Sequence, residues 1–314
     1  MQKITTPQKA LIQGLFLVLF AVLMADVALA DPEDDARAAY LRKDYAAALK
    51  IVESPAIKGE AWAQHNLGVM YVNGQGMVKN DTEAVKWFRL AAQQGNAKGQ
   101  HNLGVMYSKG QGVGQDYAEA VRWYRLAARQ GNASAQLNLG LMYDKGQGVV
   151  QSYAEAIEWY RLSAVQGHAL AQYNLGVMYS NGLSVVKDYV EALKWYRLAA
   201  QQGFADAQHN LGVMYVNGQG MVKDDTEAVK WFRLAAQQGS MKAQNNLGSM
   251  YSQGQGVVQD YVKAHSWYNL SAVSGHAIAI ENRDRVAKLM TPQQVADAQK
   301  LARDCQARQF KGCD

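Results

Sequence analysis

The sequence predicts an all-α fold, a solenoid of stacked helical hairpins closed by a capping helix. Three observations carry that expectation. The segment Asn-Leu-Gly-Val-Met-Tyr opens at Asn66 and returns with small changes at Asn102, Asn138, Asn174, Asn210 and Asn246, always 36 residues on. Trp87, Trp123, Trp159, Trp195, Trp231 and Trp267 keep the same interval, as do Gly95, Gly131, Gly167, Gly203, Gly239 and Gly275. A fixed period of this size marks a supersecondary unit that cannot bury its apolar face alone, so it stacks on copies of itself.

Residues 1–30 read as an export signal. Lys3 and Lys9 precede an apolar run centred on Leu15 to Met24, and Ala28-Leu29-Ala30 offers small residues at the cleavage positions, with cleavage expected after Ala30. The run is short for a bilayer span, Asp26 interrupts its end, and no cysteine follows to carry a lipid. No later stretch is long enough to cross a bilayer, so no stable membrane insertion is expected after cleavage. A periplasmic or secreted location follows. Losing the signal lowers the net charge from +5 to +4. That excess is spread thinly, with no basic block interleaved with aromatics, which argues against a nucleic-acid partner.

Residues 31–59 read as a divergent first hairpin. Lys43-Asp44-Tyr45-Ala46 matches Gln115-Asp116-Tyr117-Ala118 two periods on, and Gly59 matches Gly95, but the Gly-x-Gly turn is missing. Six full repeats then fill 60–275. In the block from Asn96 to Gly131, Ala97, Gln100, Leu103, Gly104 and Tyr107 form one helical stripe. Glycine costs about 1 kcal/mol inside a helix, so its return at the Gly104 register predicts a close approach by a neighbouring helix. Gly110-Gln111-Gly112 ends the first helix. Asp116 with Glu119 predicts a capping box at the start of the second, repeated by Asn80 with Glu83, Ser152 with Glu155 and Asp188 with Glu191. Ala120, Trp123, Tyr124 and Ala127 form its buried face, and Gly131 closes it.

The tail, 276–314, is expected to close the stack. His276 to Leu289 starts like another first helix, and Thr291-Pro292-Gln293-Gln294 opens a capping helix to about Arg308. Cys305 and Cys313 are the only cysteines, and in an exported chain they predict a disulfide.

The pattern A-x-A-Q-x-N-L-G-x-M-Y-x-x-G-x-G-V, followed by D-Y-x-E-A-x-x-W-Y-R-L-A-A-x-x-G, resembles the Sel-1-like repeat, a branch of the tetratricopeptide-type α-solenoids. The resemblance is dense over residues 60–275. It implies a right-handed superhelix that binds proteins, in roles that include bacterial surfaces facing host cells. A cysteine-rich branch, with a cysteine pair in each repeat, is linked to penicillin or peptidoglycan-fragment binding. Peptidoglycan-fragment or β-lactam binding or hydrolysis is therefore the alternative function, although this chain lacks those cysteines.

Comparison of the repeats with one another points to a binding surface. Leu67, Gly68, Met70 and Tyr71 scarcely change along the array, whereas the registers of Trp62, His65, Val69 and Val72 do, and these share one helix face. The ribbon continues through Lys98, His101 and Val105, then Leu137 and Leu141, Tyr173 and Val177, Asp206, His209 and Val213, and reaches Asn245. It is expected to line the concave side and hold an extended or helical peptide or protein partner.

The remaining constellations point to no reaction. His65, His101 and His209 share a register but have no carboxylate or cysteine beside them, so they read as partner-facing residues and not as a metal site. His168 and His276 follow capping glycines and read as turn residues. Arg89, Arg125, Arg161, Arg197 and Arg233 read as a solvated row or one paired with glutamates such as Glu83 and Glu119. The Gly-x-Gly turns follow no strand, so they are not nucleotide loops. No nucleophile stands with a base and an oxyanion hole. The expectation is a non-catalytic scaffold without metal or cofactor.

Overall fold

The computed structural model describes residues 31–313; the expected export signal, residues 1–30, lies outside the described residues. Sixteen helices and no strand occur among the described residues, and none of these helices is long and apolar enough to cross a membrane. The described residues fall into two compact units that divide after Asp116.

In the first unit α1 (Pro32–Leu41), α2 (Tyr45–Ile57), α3 (Ala61–Asn73), α4 (Asp81–Gln93) and α5 (Ala97–Lys109) pack each against the next in sequence. The second unit holds α6 (Tyr117–Arg129), α7 (Ala133–Lys145), α8 (Tyr153–Val165), α9 (Ala169–Asn181), α10 (Tyr189–Gln201), α11 (Ala205–Asn217), α12 (Asp225–Ala236), α13 (Met241–Gln253), α14 (Tyr261–Val273), α15 (Ala277–Ala287) and α16 (Pro292–Ala307). There too successive helices pack in order as far as α15, and α16 lies back on α14. From α3 onward the odd-numbered helices up to α13 are the first of each repeat and the even-numbered ones the second.

The periodic glycine in the first helices makes room for an aromatic ring. A Cβ on Gly68 would sit 2.6 Å from the Phe88 ring, and one on Gly176 equally close to Tyr196. In the central repeats the second residue of the tryptophan–aromatic pair is the one driven deepest, whereas in the last repeat Trp267 is as buried as Tyr268. Tyr160 and Phe232 are fully buried, while Trp159 and Trp231 are half-buried. In the Gly-x-Gly turn the first glycine is a left-handed helix cap and the second abuts the preceding repeat. A Cβ on Gly76 would meet the Tyr45 carbonyl oxygen at 2.6 Å. Ser184 occupies that second register after α9, with φ 54°, a region that favours glycine.

The expected capping boxes are only half formed. Asn80, Ser152 and Asp188 do accept from the N–H three residues on. Their own N–H groups, however, donate to the carbonyls of Tyr71, Tyr143 and Tyr179 in the preceding helix, each at 3.0 Å. Glu83 and Glu191, freed of capping, pair with Lys86 and Lys194 instead. A closed box forms at Thr291 and Gln294.

Two further ties cross from one repeat to the next. The buried Gln64, Gln172 and Gln208 amides donate to the carbonyls of Ala56, Ala164 and Ala200, which end the preceding second helices. In turn they accept from Gln94, Gln202 and Gln238. The arginine row is paired, but with tyrosine rather than glutamate. Arg89, Arg125, Arg161 and Arg233 donate to the hydroxyls of Tyr107, Tyr143, Tyr179 and Tyr251 at 2.9–3.1 Å. Arg161 also meets Glu158.

At the C-terminus α15 stops at Ala287, two residues before the expected Leu289. Asn282 still carries the array's register, donating to Asn245 at 3.0 Å. Ala298, Ala302 and Cys305 seat α16 on the core. A disulfide joins Cys305 to Cys313, both buried, with Cα atoms 5.1 Å apart, and Phe310 within this loop lies against Gly239.

Candidate partner-binding surface

Half-buried and exposed residues make up most of the ribbon. Lys98 and Asp206 are exposed, and Trp62, Val69, Val105, Leu141, Tyr173, Val177, Val213 and Asn245 are half-buried. Leu137 departs from the expectation. It is 5% exposed and packs with Ala156, Ile157 and Tyr160, so it belongs to the core and offers nothing to a partner. An apolar side chain in this register turns inward because a buried aromatic ring of the second helix waits beneath it.

The histidines do more than the sequence suggests. They are half-buried rungs of a ladder between first helices, and His65 also lines a cavity of the ribbon. Asn102 Nδ2, which can only donate, lies 3.1 Å from His65 Nε2. His65 Nδ1 must therefore carry the proton, and it donates to Asn66 Oδ1 at 3.1 Å. His101 donates likewise to Asn102. The second unit repeats the rung, with Asn246 donating to His209 Nε2 and His209 Nδ1 donating to Asn210, both at 3.1 Å. Both nitrogens of His65 and His209 are thus committed. Their rings lie about 6 Å, centroid to centroid, from Phe88 and Phe232.

Burial is the main reason that His65 titrates at about 4, below the ordinary 6.5; Lys98 and His101 add to the effect, and the Asn66 hydrogen bond opposes it. Burial also lowers His101 and His209. A neutral imidazole is what the ladder requires. Tyr173 takes the histidine place in α9 and packs, tilted, against Phe204 and Tyr196 at 5.1 and 5.9 Å. Burial raises its hydroxyl pKa. Where Leu137 replaces histidine, the Asn174 amide nitrogen is buried without a hydrogen-bond partner.

Between neighbouring first helices the ribbon opens into cavities of one design. In the first unit one of about 320 Å³ lies between α1 and α3, lined by Arg37, His65, Asn66, Val69, Met70 and, from α5, Lys98. A step along, between α3 and α5, Asn102, Val105 and Met106 line a smaller one of about 230 Å³. In the second unit one of about 410 Å³ lies between α9 and α11, lined by Tyr173, Val177, Asn210, Val213, Met214 and Lys242. Lys187, from the loop before α10, forms part of its wall and lies 4.8 Å from the Tyr189 ring. Sequence reasoning missed Arg37, Lys187 and the floor residues Met70 and Met214. The methionines do not vary between repeats, and a comparison that seeks variation passes over an invariant floor.

Among the described residues no group of three or more histidines, cysteines or acids could hold a metal ion. His168 and His276 are helix N-caps, and neither side chain makes a capping bond.

The Sel1 repeat matches the sequence six times, over residues 63–96, 97–132, 133–168, 169–204, 205–240 and 242–276. The chain belongs to the Sel1 repeat family. Sel1 repeats generally mediate protein–protein interaction. Among solved structures, a Sel1 repeat protein from Oxalobacter formigenes is similar at 33% identity and a TM-score of 0.69, over 77% of this chain and 97% of that one. A protective antigen of uropathogenic Escherichia coli with an SLR fold is 29% identical over 85% of this chain and 81% of its own, at a TM-score of 0.32. Among curated proteins none matches.

Proposed function

We propose that this Sel1 repeat protein is a non-catalytic scaffold that binds a protein or peptide along its first-helix ribbon. The observation that carries the reading is the recurrence of one cavity design between neighbouring first helices, with an invariant asparagine–methionine floor and variable walls. Such a surface keeps its shape while its specificity changes from step to step. Work in the bacterial envelope or outside the cell is supported by the export-signal pattern and by the Cys305–Cys313 disulfide. Contact with host proteins is the role that the family resemblance suggests.

A photo-crosslinking amino acid tests the surface. Placed at Val177 or Lys98 in cells it should yield a discrete adduct, while at Leu162 on the outer face of α8 it should not. Adducts from Leu162 alone would overturn the reading. N-terminal sequencing of the exported protein should begin at Asp31; a chain retaining Met1 would contradict export by cleavage.

A further inference from the structure

We propose that the protein carries two equivalent peptide sites, one in each unit, each taking an acidic side chain flanked by aliphatic ones. The proposal rests on the ribbon reading and adds to it the ligand chemistry and the number of sites.

The larger cavities share one floor and one lysine register, while their other walls differ, Arg37 standing where the second has Asn181. Asn66, Val69 and Met70 of the first stand where Asn210, Val213 and Met214 stand in the second, four periods on. The next first helix supplies Lys98 to one and Lys242 to the other. Elsewhere that register holds Trp62, Ser134, Leu170 and Asp206. The two lysines agree even though their surroundings differ, Asn96-Ala97 before one and Ser240-Met241 before the other. Their separation of 144 residues is also that of the near-identical blocks 65–95 and 209–239, which differ at Asn80 and Asp224.

Charge decides the ligand. Each cavity pairs its lysine with a second cation, Arg37 in one and Lys187 in the other. Among the described residues none of these four cations forms an ion pair, whereas Lys86, Lys194 and Lys230 on the second helices each hold a glutamate three residues back. Glu33 is the one acid lining the first cavity, and no acid lines the second. Two unneutralised cations over a valine–methionine floor suit a carboxylate beside an aliphatic side chain. The floor gains by covering the aliphatic group, and the cations select the acid. The smaller cavity at Val105 and Met106 has one lining cation, Lys109, and serves as an internal comparison.

The methionines beneath the sites are the reporters. The full chain, labelled with 13C-methyl methionine and assigned through Met70→Leu, Met106→Leu and Met214→Leu, is titrated with a peptide of alternating glutamate and leucine. A lysine–leucine peptide of the same length is the control. The expected result is a response at Met70 and Met214 to the acidic peptide alone. Lys98→Glu should remove it at Met70 only, and Lys242→Glu at Met214 only; both lysines are exposed, so neither change threatens the fold. Silence at both reporters, an equal response to the basic peptide, an equal response at Met106, or survival of both signals in the double variant would each overturn the proposal. A silent titration alongside ribbon adducts from Val177 would remove this ligand class and leave the scaffold standing. Absence of those adducts would remove the scaffold reading itself.

Discussion

Lowering the pH should weaken the ladder at His65 by an amount the structure sets. The imidazole titrates near 6.5 in the unfolded chain and at about 4 in the folded one, chiefly because it is buried. The folded pKa is depressed, so the neutral form's contribution is complete above pH 6.5 and is lost as the pH falls towards 4. At about 1.4 kcal/mol per pH unit, the loss from this group reaches about 3 kcal/mol at pH 4 and below. The cost has a visible origin. Protonated Nε2 would become a second donor facing Asn102 Nδ2, itself a donor, at 3.1 Å. The assay has two parts. An NMR titration of the His65 Cε1–H signal should show a midpoint near 4 and the Nδ1–H tautomer above it. Urea unfolding at pH 7, 5.5 and 4.5 should show stability falling across that window, with a shallower fall in His65→Leu. A midpoint near 6.5, or an unchanged slope in His65→Leu, would refute the reasoning.

Three other perturbations follow from the same geometry. Ser184→Gly should raise stability by about 0.5–1 kcal/mol, since φ 54° is strained for serine and free for glycine; a lower unfolding midpoint would contradict this. Leu137→His should stay within about 1 kcal/mol of the natural protein at pH 7, because it restores an acceptor to Asn174 while giving up apolar burial. Leu137→Ala, which only opens a void, should cost about 2–4 kcal/mol in the same chemical denaturation. Reducing the Cys305–Cys313 disulfide should cost on the order of 2 kcal/mol, and hydrogen exchange should place the loosening in α14 and α16; uniform loosening of both units would contradict it.

Much of the fold can be read in the sequence because its signals are local. The interval of 36, the left-handed glycine caps and the crowded helix glycine each reflect contacts within one repeat or with the next. The capping boxes read less well. Their sequence signature describes two residues, and a third partner, the Tyr71 or Tyr143 carbonyl, takes the bond that glutamate was expected to supply. The arginines read as a solvated row or one paired with glutamates on the same helices, yet Arg89 pairs with a tyrosine 18 residues on, in the next hairpin. The ladder hides for the same reason. His65 and Asn102 are 37 residues apart, and the sign available was that histidine, where present, always precedes the periodic asparagine. Leu137 shows the limit of reading surface from variability, because a register can change identity by turning inward.

Hydroxyl-radical footprinting of the protein in its native envelope, set against the purified chain, tests the scaffold account most directly. The account expects protection at Val69, Tyr173, Val177 and Val213, with the exposed Leu90, Leu162, Leu198 and Leu234 of the second helices reacting equally in both samples. Protection of those leucines with the ribbon unchanged would place the partner on the opposite face and contradict it.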